Sequence, residues 1–376
     1  APAALSLISV TFTESKERAR AFGVFGAISG GGAAIGLIAG GILTEYLSWH
    51  WTLLVNVPIA ILAVFLAIPF VKESRAHGDT KYDVPGAITA TLGLVSLVYG
   101  ITRAESDGWN GSQTLAFMGF GVLLLLVFMV IESRSSHPLL PIRILANRNR
   151  GGAYLASFFV GVGLFAMFLF LTYFFQGVMG YTPLTSGLLF LPFSVGIVIS
   201  AGIASQLLPR VGPRYITTAG FVLAVVGMLL LTRMTPESSY VTDILPALIL
   251  MSLGMGLIFV PLSAVSLYAV GDHDAGVASA VLNTSQQIGG SIGVAFLNTI
   301  AASTTAAFVA ANAATGLVQG PDGQPMPSPE ALVAGFTRGF LWGAAILVVA
   351  GVIWVVLVTM TKQDMAANDS PAAHVG

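Results

Sequence analysis

Amide and aromatic side chains inside apolar stretches are the groups of this sequence that could bind a small molecule. Asn283, Gln286 and Gln287 are spaced i, i+3 and i+4, which places them on one face of a helix. Such amides hydrogen-bond either to a bound compound or to a neighbouring helix, where each bond contributes about 0.6–2 kcal/mol. The spacing leaves both interpretations open, cavity lining and helix packing.

A second candidate is the aromatic segment "MFLFLTYFFQGVMGY" at residues 167–181. Aromatic rings bind lipophilic guests by stacking and bind cations through the π face. A lipid-facing surface with an interfacial aromatic belt has much the same composition, so it stands as the alternative. The residues of this segment that we predict to line a cavity are Phe168, Tyr173, Phe174 and Gln176.

The elements that position these residues are membrane-spanning helices. Of the 376 residues, 55% are hydrophobic and 9% are charged, whereas soluble domains carry roughly 25% charged residues. A helix needs about 20 apolar residues to cross a bilayer. Residues 1–12 are too few to cross, and we interpret them as the end of a further helix whose beginning lies outside this sequence. The runs that are long enough are 21–43, 51–71, 84–102, 113–131, 152–177, 184–208, 215–232, 243–270, 276–302 and 336–361.

The basic residues between these runs predict which side of the membrane each loop occupies. Cytoplasmic loops carry an excess of Lys and Arg. If the loop after residue 12 is cytoplasmic and the sides alternate, three basic residues are external: Arg103, Arg233 and Arg338. The remaining thirteen are cytoplasmic: Lys16, Arg18, Arg20, Lys72, Arg75, Lys81, Arg134, Arg143, Arg148, Arg150, Arg210, Arg214 and Lys362. The C-terminus is then cytoplasmic, and the polar loop 303–335 is external.

The acidic residues do not form a catalytic or metal-binding pattern. All 17 lie in loops or at the ends of the apolar runs. The loop "GDHDAG" at 271–276 is interpreted as a helix cap, and we predict neither a metal site nor a catalytic residue. The sequence has no Gly-x-x-x-x-Gly-Lys nucleotide loop, and its one Gly-x-Ser-x-Gly string, at 289–293, lies inside an apolar run rather than at a strand-to-helix turn. These observations disfavour ATP as an energy source and disfavour an integral-membrane enzyme.

Glycines are concentrated in the apolar stretch "GAISGGGAAIGLIAGGIL" at residues 26–43. Gly32, Gly36 and Gly40 repeat every four residues, the spacing that lets two membrane helices approach backbone to backbone. We therefore predict a close helix contact, which Gly36→Leu should push apart. The spacing is also that of any tightly packed helix pair.

Gly23, Gly32, Gly36 and Gly40–Gly41 together resemble the antiporter motif of the major facilitator superfamily, which lies in the fifth helix of its drug/proton antiporters. Leu37 stands where that motif has proline. The segment that follows, with Trp49, Asn56 and Pro58, resembles the start of helix six in the 14-span branch, where His50 stands in place of arginine. "SQLLPRVGPR" resembles the basic cytoplasmic gating loop of each repeat, with matching residues Arg210, Gly212 and Arg214.

The resemblance implies an all-α integral membrane protein with the major facilitator fold. It implies about ten complete transmembrane helices here, plus a remnant of an eleventh, out of 14 in the intact protein. Residues 1–71 would be the rest of the N-terminal six-helix half, with the end of helix four and helices five and six. The other expected parts are two central helices at 72–132, a cytoplasmic linker at 133–150, the C-terminal half at 151–362 and a cytoplasmic tail at 363–376.

The function implied by the resemblance is secondary active export of lipophilic or cationic drugs or metabolites in exchange for protons, by alternating access. The expected partners are this small substrate, protons and the lipid bilayer of the cell membrane. No cofactor and no nucleic acid are expected, and the protein is expected to act as a monomer. The first alternative is a dedicated exporter of one lipid, siderophore or self-made antibiotic. The second is a membrane sensor or scaffold that transports nothing.

Overall fold

The fold is described from a computed structural model, which covers residues 32, 35–70, 83–135, 138–268, 270, 272–312, 314–320 and 323–364. These residues include nine helices that are long and apolar enough to cross a membrane. The predicted run 21–43 begins outside the described residues. Its described part belongs to α1 (Ile35–Tyr46), an apolar helix shorter than a full span.

The span after α1 is broken near its start. It consists of α2 (Trp49–Leu54) and α3 (Asn56–Phe70), which together supply one crossing. Pro58 has no N–H to donate to the carbonyl four residues earlier, which disturbs the helix at this point. The Asn56 amide donates to the backbone oxygens of Thr52, at 3.1 Å, and Leu53, at 3.2 Å. The Asn56 side chain therefore satisfies two carbonyls next to the break.

A helical hairpin follows, formed by α4 (Val84–Asp107) and α5 (Ser112–Arg134). Asp83 caps α4 by accepting a hydrogen bond of 2.8 Å from the Gly86 N–H. The two helices approach closely at Gly121, where an added Cβ would lie 2.7 Å from the Leu97 backbone nitrogen. Small residues permit this close contact in lipid, where hydrophobic driving force between helices is absent.

The rest of the chain forms a bundle of six spans. The elements are α6 (Ile142–Ala146), α7 (Arg148–Tyr173) with a π-helical turn (Phe174–Val178), α8 (Pro183–Leu189), α9 (Leu191–Val211), α10 (Pro213–Leu231), a second π-helical turn (Tyr240–Ile244), α11 (Leu245–Ser266), α12 (Asp272–Ala311), β1 (Leu317–Gln319), β2 (Pro325–Pro327) and α13 (Pro329–Leu357). In this bundle α7 packs against α12 and α13, α10 packs against α11 and α13, and α9 packs against α11. The α4 helix of the hairpin contacts α12.

The bundle interior combines large apolar side chains with backbone contacts through glycine. Phe170, Met251 and Trp354 are fully buried. Gly220 and Gly254 face each other across α10 and α11, and an added Cβ at Gly254 would lie 2.6 Å from the Gly220 oxygen. The helices are therefore fixed in place by steric fit, which is the dominant packing term between helices in a membrane.

The segment 303–335 is more ordered than the loop predicted for it. α12 continues to Ala311, and α13 begins at Pro329, where the Ser328 side chain accepts a hydrogen bond from the Ala331 N–H. Between these helices β1 and β2 form a short antiparallel hairpin. The loop prediction is wrong at both ends for physical reasons: alanine favours helix, and Ser-Pro is a helix start signal.

Candidate functional site

The predicted amide face of α12 lies where this helix packs most closely on α7. An added Cβ at Gly293 would lie 2.6 Å from the Val162 Cα, and one at Gly289 would overlap the Phe158 oxygen. An added Cβ at Gly161 would overlap the Gln286 oxygen from the other side. Glycines on both helices therefore bring the two backbones together beside the amides.

The three amides do not line one cavity. Asn283 and Gln286 line a small pocket of about 190 Å³ with Ser157 and Phe259. The Asn283 amide also donates to the Ser279 oxygen of its own helix at 3.4 Å. Gln287 faces a different space, because one residue along a helix rotates the side chain by about 100°.

Gln287 lines a pocket of about 460 Å³ between α4, α7 and α12. Thr102 contributes from α4, Phe165 and Tyr173 from α7, and Asn298 from α12. None of the residues lining this pocket is charged. We call this space the inner chamber; it presents aromatic and aliphatic walls with a few amide and hydroxyl groups, the usual composition of a small-molecule site.

A larger pocket of about 870 Å³ adjoins the inner chamber, and Tyr173 and Asn298 line both. Gln176 also lines this larger pocket, which lies under the β1–β2 hairpin. We call it the hairpin pocket. The sequence analysis missed Asn298. The available signal was its position eleven residues after Gln287, three turns along the same helix face.

The aromatic segment divides between core and pocket. Tyr173 is 48% exposed and lines both spaces, whereas Phe174 is fully buried. Phe168 packs against Phe190 and Phe193, with ring centroids 4.9 and 5.2 Å apart. Neither Phe168 nor Phe174 is among the residues that line these pockets. Within the described part of the chain both rings pack against other aromatic side chains, because neighbouring positions on a helix point in different directions.

The glycine face of α1 makes its contact at a different register from the one predicted. An added Cβ at Gly41 would lie 2.7 Å from the Leu184 Cα of α8, and one at Gly187 of α8 would lie 2.6 Å from the Leu37 oxygen. The Glu45 carboxylate accepts a hydrogen bond of 3.1 Å from the Leu184 N–H, at the start of α8. α1 therefore meets α8 along the face that carries Leu37 and Gly41.

The three glycines spaced by four have no such contact with the described part of the chain. An added Cβ at Gly32, Gly36 or Gly40 would meet nothing within 4 Å there. Gly36 and Gly40 each come one residue before Leu37 and Gly41, which face α8. One residue along a helix is a rotation of about 100°, so Gly36 and Gly40 point away from α8. Within the described part of the chain the close contact is made by Gly41, which belongs to the predicted motif, and the contact expected of Gly32, Gly36 and Gly40 stays a prediction. Gly23 lies outside the described residues.

The predicted basic loop connects α9 and α10 to the end of α13. Gly212 has a φ of 89°, which glycine adopts without strain. An added Cβ there would also lie 3.0 Å from the Lys362 nitrogen. The Arg214 guanidinium donates to the Val355 oxygen at 3.0 Å, while Arg210 is exposed. A cation at the C-terminal end of a helix is electrostatically favourable, so Arg214 stabilises this junction.

The same end of the bundle holds further polar contacts. Arg148 donates to the Val356 oxygen at 2.6 Å, and Arg143 forms an ion pair of 2.9 Å with Asp274. Asp364 accepts hydrogen bonds from the backbone and the hydroxyl of Thr361, and these bonds lower the pKa of its carboxyl. We call this end of the bundle the basic end.

The buried acid of the α4–α5 hairpin has a structural partner. Glu132, in the last turn of α5, is 4% exposed, and its carboxylate accepts hydrogen bonds from the Leu139 and Leu140 N–H groups at 3.2 and 3.0 Å. It therefore fixes the connection to α6. No described carboxylate lines the inner chamber or the hairpin pocket.

Comparison with known proteins identifies similar membrane transporters. The family model of the Major Facilitator Superfamily matches residues 1–294. The puromycin resistance protein pur8 of Streptomyces alboniger is 41% identical over 100% of this chain and 73% of its own length. The cephamycin export protein CmcT of Amycolatopsis lactamdurans is 36% identical over 81% of this chain and 64% of its own length. The multidrug transporter protein MdtP of Bacillus subtilis is 28% identical over 80% of this chain and 55% of its own length.

A solved structure supports the fold. The crystal structure of a bacterial homologue of the human lysosomal transporter Spinster, inward-facing and unoccupied, matches with a TM-score of 0.53 at 15% identity. The match covers 98% of this chain and 75% of that chain. The predicted all-helical membrane fold is confirmed, with the small β1–β2 hairpin as an addition.

Proposed function

The chain belongs to the Major Facilitator Superfamily, and we propose that it is part of an exporter of lipophilic or cationic drugs or metabolites driven by protons. Membership makes it a multi-pass membrane transporter of the drug-efflux type rather than an enzyme. The chain spans between about half and three quarters of the length of the curated relatives named above. The activity of the whole protein is therefore the proposal.

The observation that carries the proposal is the inner chamber. Its wall has the ring of Tyr173 and the amides of Gln287 and Asn298, and none of its described residues is charged, so it suits a compound held by apolar contact and a few hydrogen bonds. The open face of Tyr173 also offers a cation–π contact to a lipophilic cation. The α4 helix closes one side of the chamber, so the α4–α5 hairpin takes part in the site.

Proton coupling is proposed from family resemblance alone. An acid that carries protons must face a cavity inside the membrane, and the described acids of this chain do not line the two pockets. We assign the coupling residues to helices one to four of the intact 14-span protein. The domain division at 71, 132, 150 and 362, the monomeric state and alternating access between two six-helix halves belong to the same proposal.

The membrane orientation is also part of the proposal. Arg143, Arg148, Arg214 and Lys362 gather at the basic end, and the positive-inside rule assigns such an end to the cytoplasm. The C-terminus would then be cytoplasmic, and the β1–β2 hairpin would face outward.

A second candidate is a dedicated exporter of one antibiotic. Two of the relatives carry the names of single compounds, puromycin and cephamycin, whereas others are named as multidrug transporters. A non-transporting sensor or scaffold is not supported by any of these names.

The test is efflux by cells that express the complete gene. Cells lacking their own pumps should accumulate less puromycin and less of a lipophilic cation such as ethidium, and a protonophore should abolish both effects. Tyr173→Leu should reduce efflux of both compounds, whereas Tyr181→Leu is the matched control, because Tyr181 is 38% exposed and outside the pocket linings. Export of puromycin alone would favour the dedicated exporter. Absence of any efflux would overturn the proposal.

A further inference from the structure

The hairpin pocket is a second ligand site, distinct from the inner chamber. We infer that it binds drug-sized compounds that carry aromatic groups, and that it holds them as they leave the chamber. The inference rests on the proposed export function for this role, while the site itself rests on the geometry of the pocket.

The pocket lies at the end of the bundle opposite the basic end. α12 has 40 residues and so is about 60 Å long, about twice the thickness of the hydrocarbon core. Asp274 lies at the basic end of this helix, whereas Asn298, Thr305 and Ala310 line the pocket toward its other end. The pocket therefore extends from the edge of the membrane along the projecting part of α12.

The β1–β2 hairpin forms the roof. Leu317 of β1 and Pro327 of β2 line the pocket. The ends of the hairpin are joined by a hydrogen bond of 2.9 Å from the Ser328 N–H to the Gly316 oxygen, and the Gly316 N–H donates to the Asn312 oxygen of the α12 end at 2.6 Å. The roof is thus fixed to both helices that it connects, so the pocket is a defined space.

The wall chemistry selects the class of ligand. Tyr173 and Phe336 form an aromatic wall with ring centroids 6.3 Å apart, and Gln176, Asn298 and Thr305 supply the polar groups. No described residue of the wall is charged, so a ligand is held there by aromatic contact and hydrogen bonds rather than by an ion pair. The volume of about 870 Å³ falls within the range of roughly 300–1,000 Å³ that holds drug-sized ligands.

The connection to the inner chamber gives the pocket its place in transport. Tyr173 and Asn298 line both spaces, so a compound that leaves the chamber past these residues enters the hairpin pocket directly. Gln176 is presented by a π-helical turn, a helix distortion that is frequent at functional sites. These two observations assign Tyr173 and Asn298 as the boundary and Gln176 as a specificity residue of the outer site.

Adjacent alanines of α12 supply a matched pair of variants. Ala306 lines the hairpin pocket, whereas Ala307 lines a separate space with Thr337 and Arg338, and both alanines are exposed. Ala306→Phe should fill the pocket, and Ala307→Phe adds the same side chain on another face of the same helix turn. Any general effect of the phenylalanine should appear in both variants.

The experiment measures equilibrium binding to the complete protein in lipid nanodiscs. The probe is triphenylphosphine oxide, a neutral compound with three aromatic rings. Wild type should bind two equivalents of the probe, Ala306→Phe one, and Ala307→Phe two. A single equivalent of the neutral probe in wild type, or two in Ala306→Phe, would overturn the second site.

Gly177→Leu replaces Ala306→Phe if that variant does not fold. Gly177 lines the pocket, and an added Cβ there would meet nothing within 4 Å, so a leucine fits without a backbone clash. The control is Gly202→Leu on α9, because an added Cβ at Gly202 also meets nothing within 4 Å. Efflux from cells is measured in parallel. If the wild-type protein binds two equivalents of the probe but exports nothing, the export function is overturned and the second site stands. If it exports the compounds but binds one equivalent of the probe, the second site alone is overturned.

Discussion

Two glycine-rich helices of this chain, α1 and α12, have similar sequence patterns and different packing. In α12, Gly289 and Gly293 lie against α7, which presents Gly161 in return. In α1, Gly36 and Gly40 face open space within the described part of the chain, and the contact is made by Gly41 against Leu184 of α8 and by Gly187 of α8 against Leu37. Both close contacts have glycine on each side. The comparison teaches that spacing within one helix predicts a close approach only where the partner also has a small residue.

The largest effect is expected at the α7–α12 seam. Gly289→Leu would place a side chain into the Phe158 backbone, where the main chain must move, and overpacking of this kind costs about 1–3 kcal/mol or more. The variant should unfold at a lower temperature in detergent than wild type. Gly276→Leu is the control on the same helix, because an added Cβ there meets nothing within 4 Å. Equal unfolding temperatures for the two variants would contradict the seam.

A smaller effect is expected where α1 meets α8. Gly41→Leu should separate the Gly41 and Leu184 backbones and reduce efflux at an unchanged amount of membrane-inserted protein. Only one helix turn is affected, so the cost should stay at the low end of the range of about 1–3 kcal/mol. Gly40→Leu, one residue away and open on its outer side, should export normally. If Gly40→Leu is the more damaging variant, the contact face has been assigned to the wrong residues.

The smallest effect is expected at Gly36. The sequence pattern predicts that Gly36→Leu separates a helix pair, whereas the described residues leave space for the side chain. The unfolding free energy of the variant should therefore change by less than about 0.5 kcal/mol, as for an unconstrained surface position. Thermal unfolding of the complete protein measures this directly. A loss comparable with that of Gly289→Leu would show that Gly36 contacts a part of the protein beyond the described residues.

The sequence predicts the spans well because length and apolarity are sufficient for that purpose. The α4 and α5 helices cover the predicted runs, whereas α7 and α13 begin before their runs and end four residues short of them. The end of α12 was not predictable from hydropathy, because its last turns are polar and alanine-rich and lie beyond the apolar run. Hydropathy predicts which residues lie in the membrane interior, and a helix can continue beyond those residues.

The site was less predictable than the fold. Tyr173, Gln176 and Gln287 line the two adjoining pockets, whereas Phe174 is fully buried and Phe168 packs, partly buried, against Phe190 and Phe193. Composition cannot separate these rings, because all are aromatic residues of one apolar helix. Their roles are set by the direction of each side chain relative to α9 and α12, which depends on tertiary packing.

The uninterrupted length of α12 makes it a mechanical lever. A continuous helix carries a tilt along its length except where proline, a Gly/Ser pair, a bulge or an inserted group lets it bend, and Gly290–Ser291 is such a pair near the middle of α12. For a rod of about 60 Å, a tilt of about 5° would move the tip by about 5 Å, enough to alter the opening beneath β1 and β2. A tilt of α12 as one rod would therefore link the Arg143–Asp274 ion pair to the opposite mouth, and a bend at Gly290–Ser291 would uncouple them.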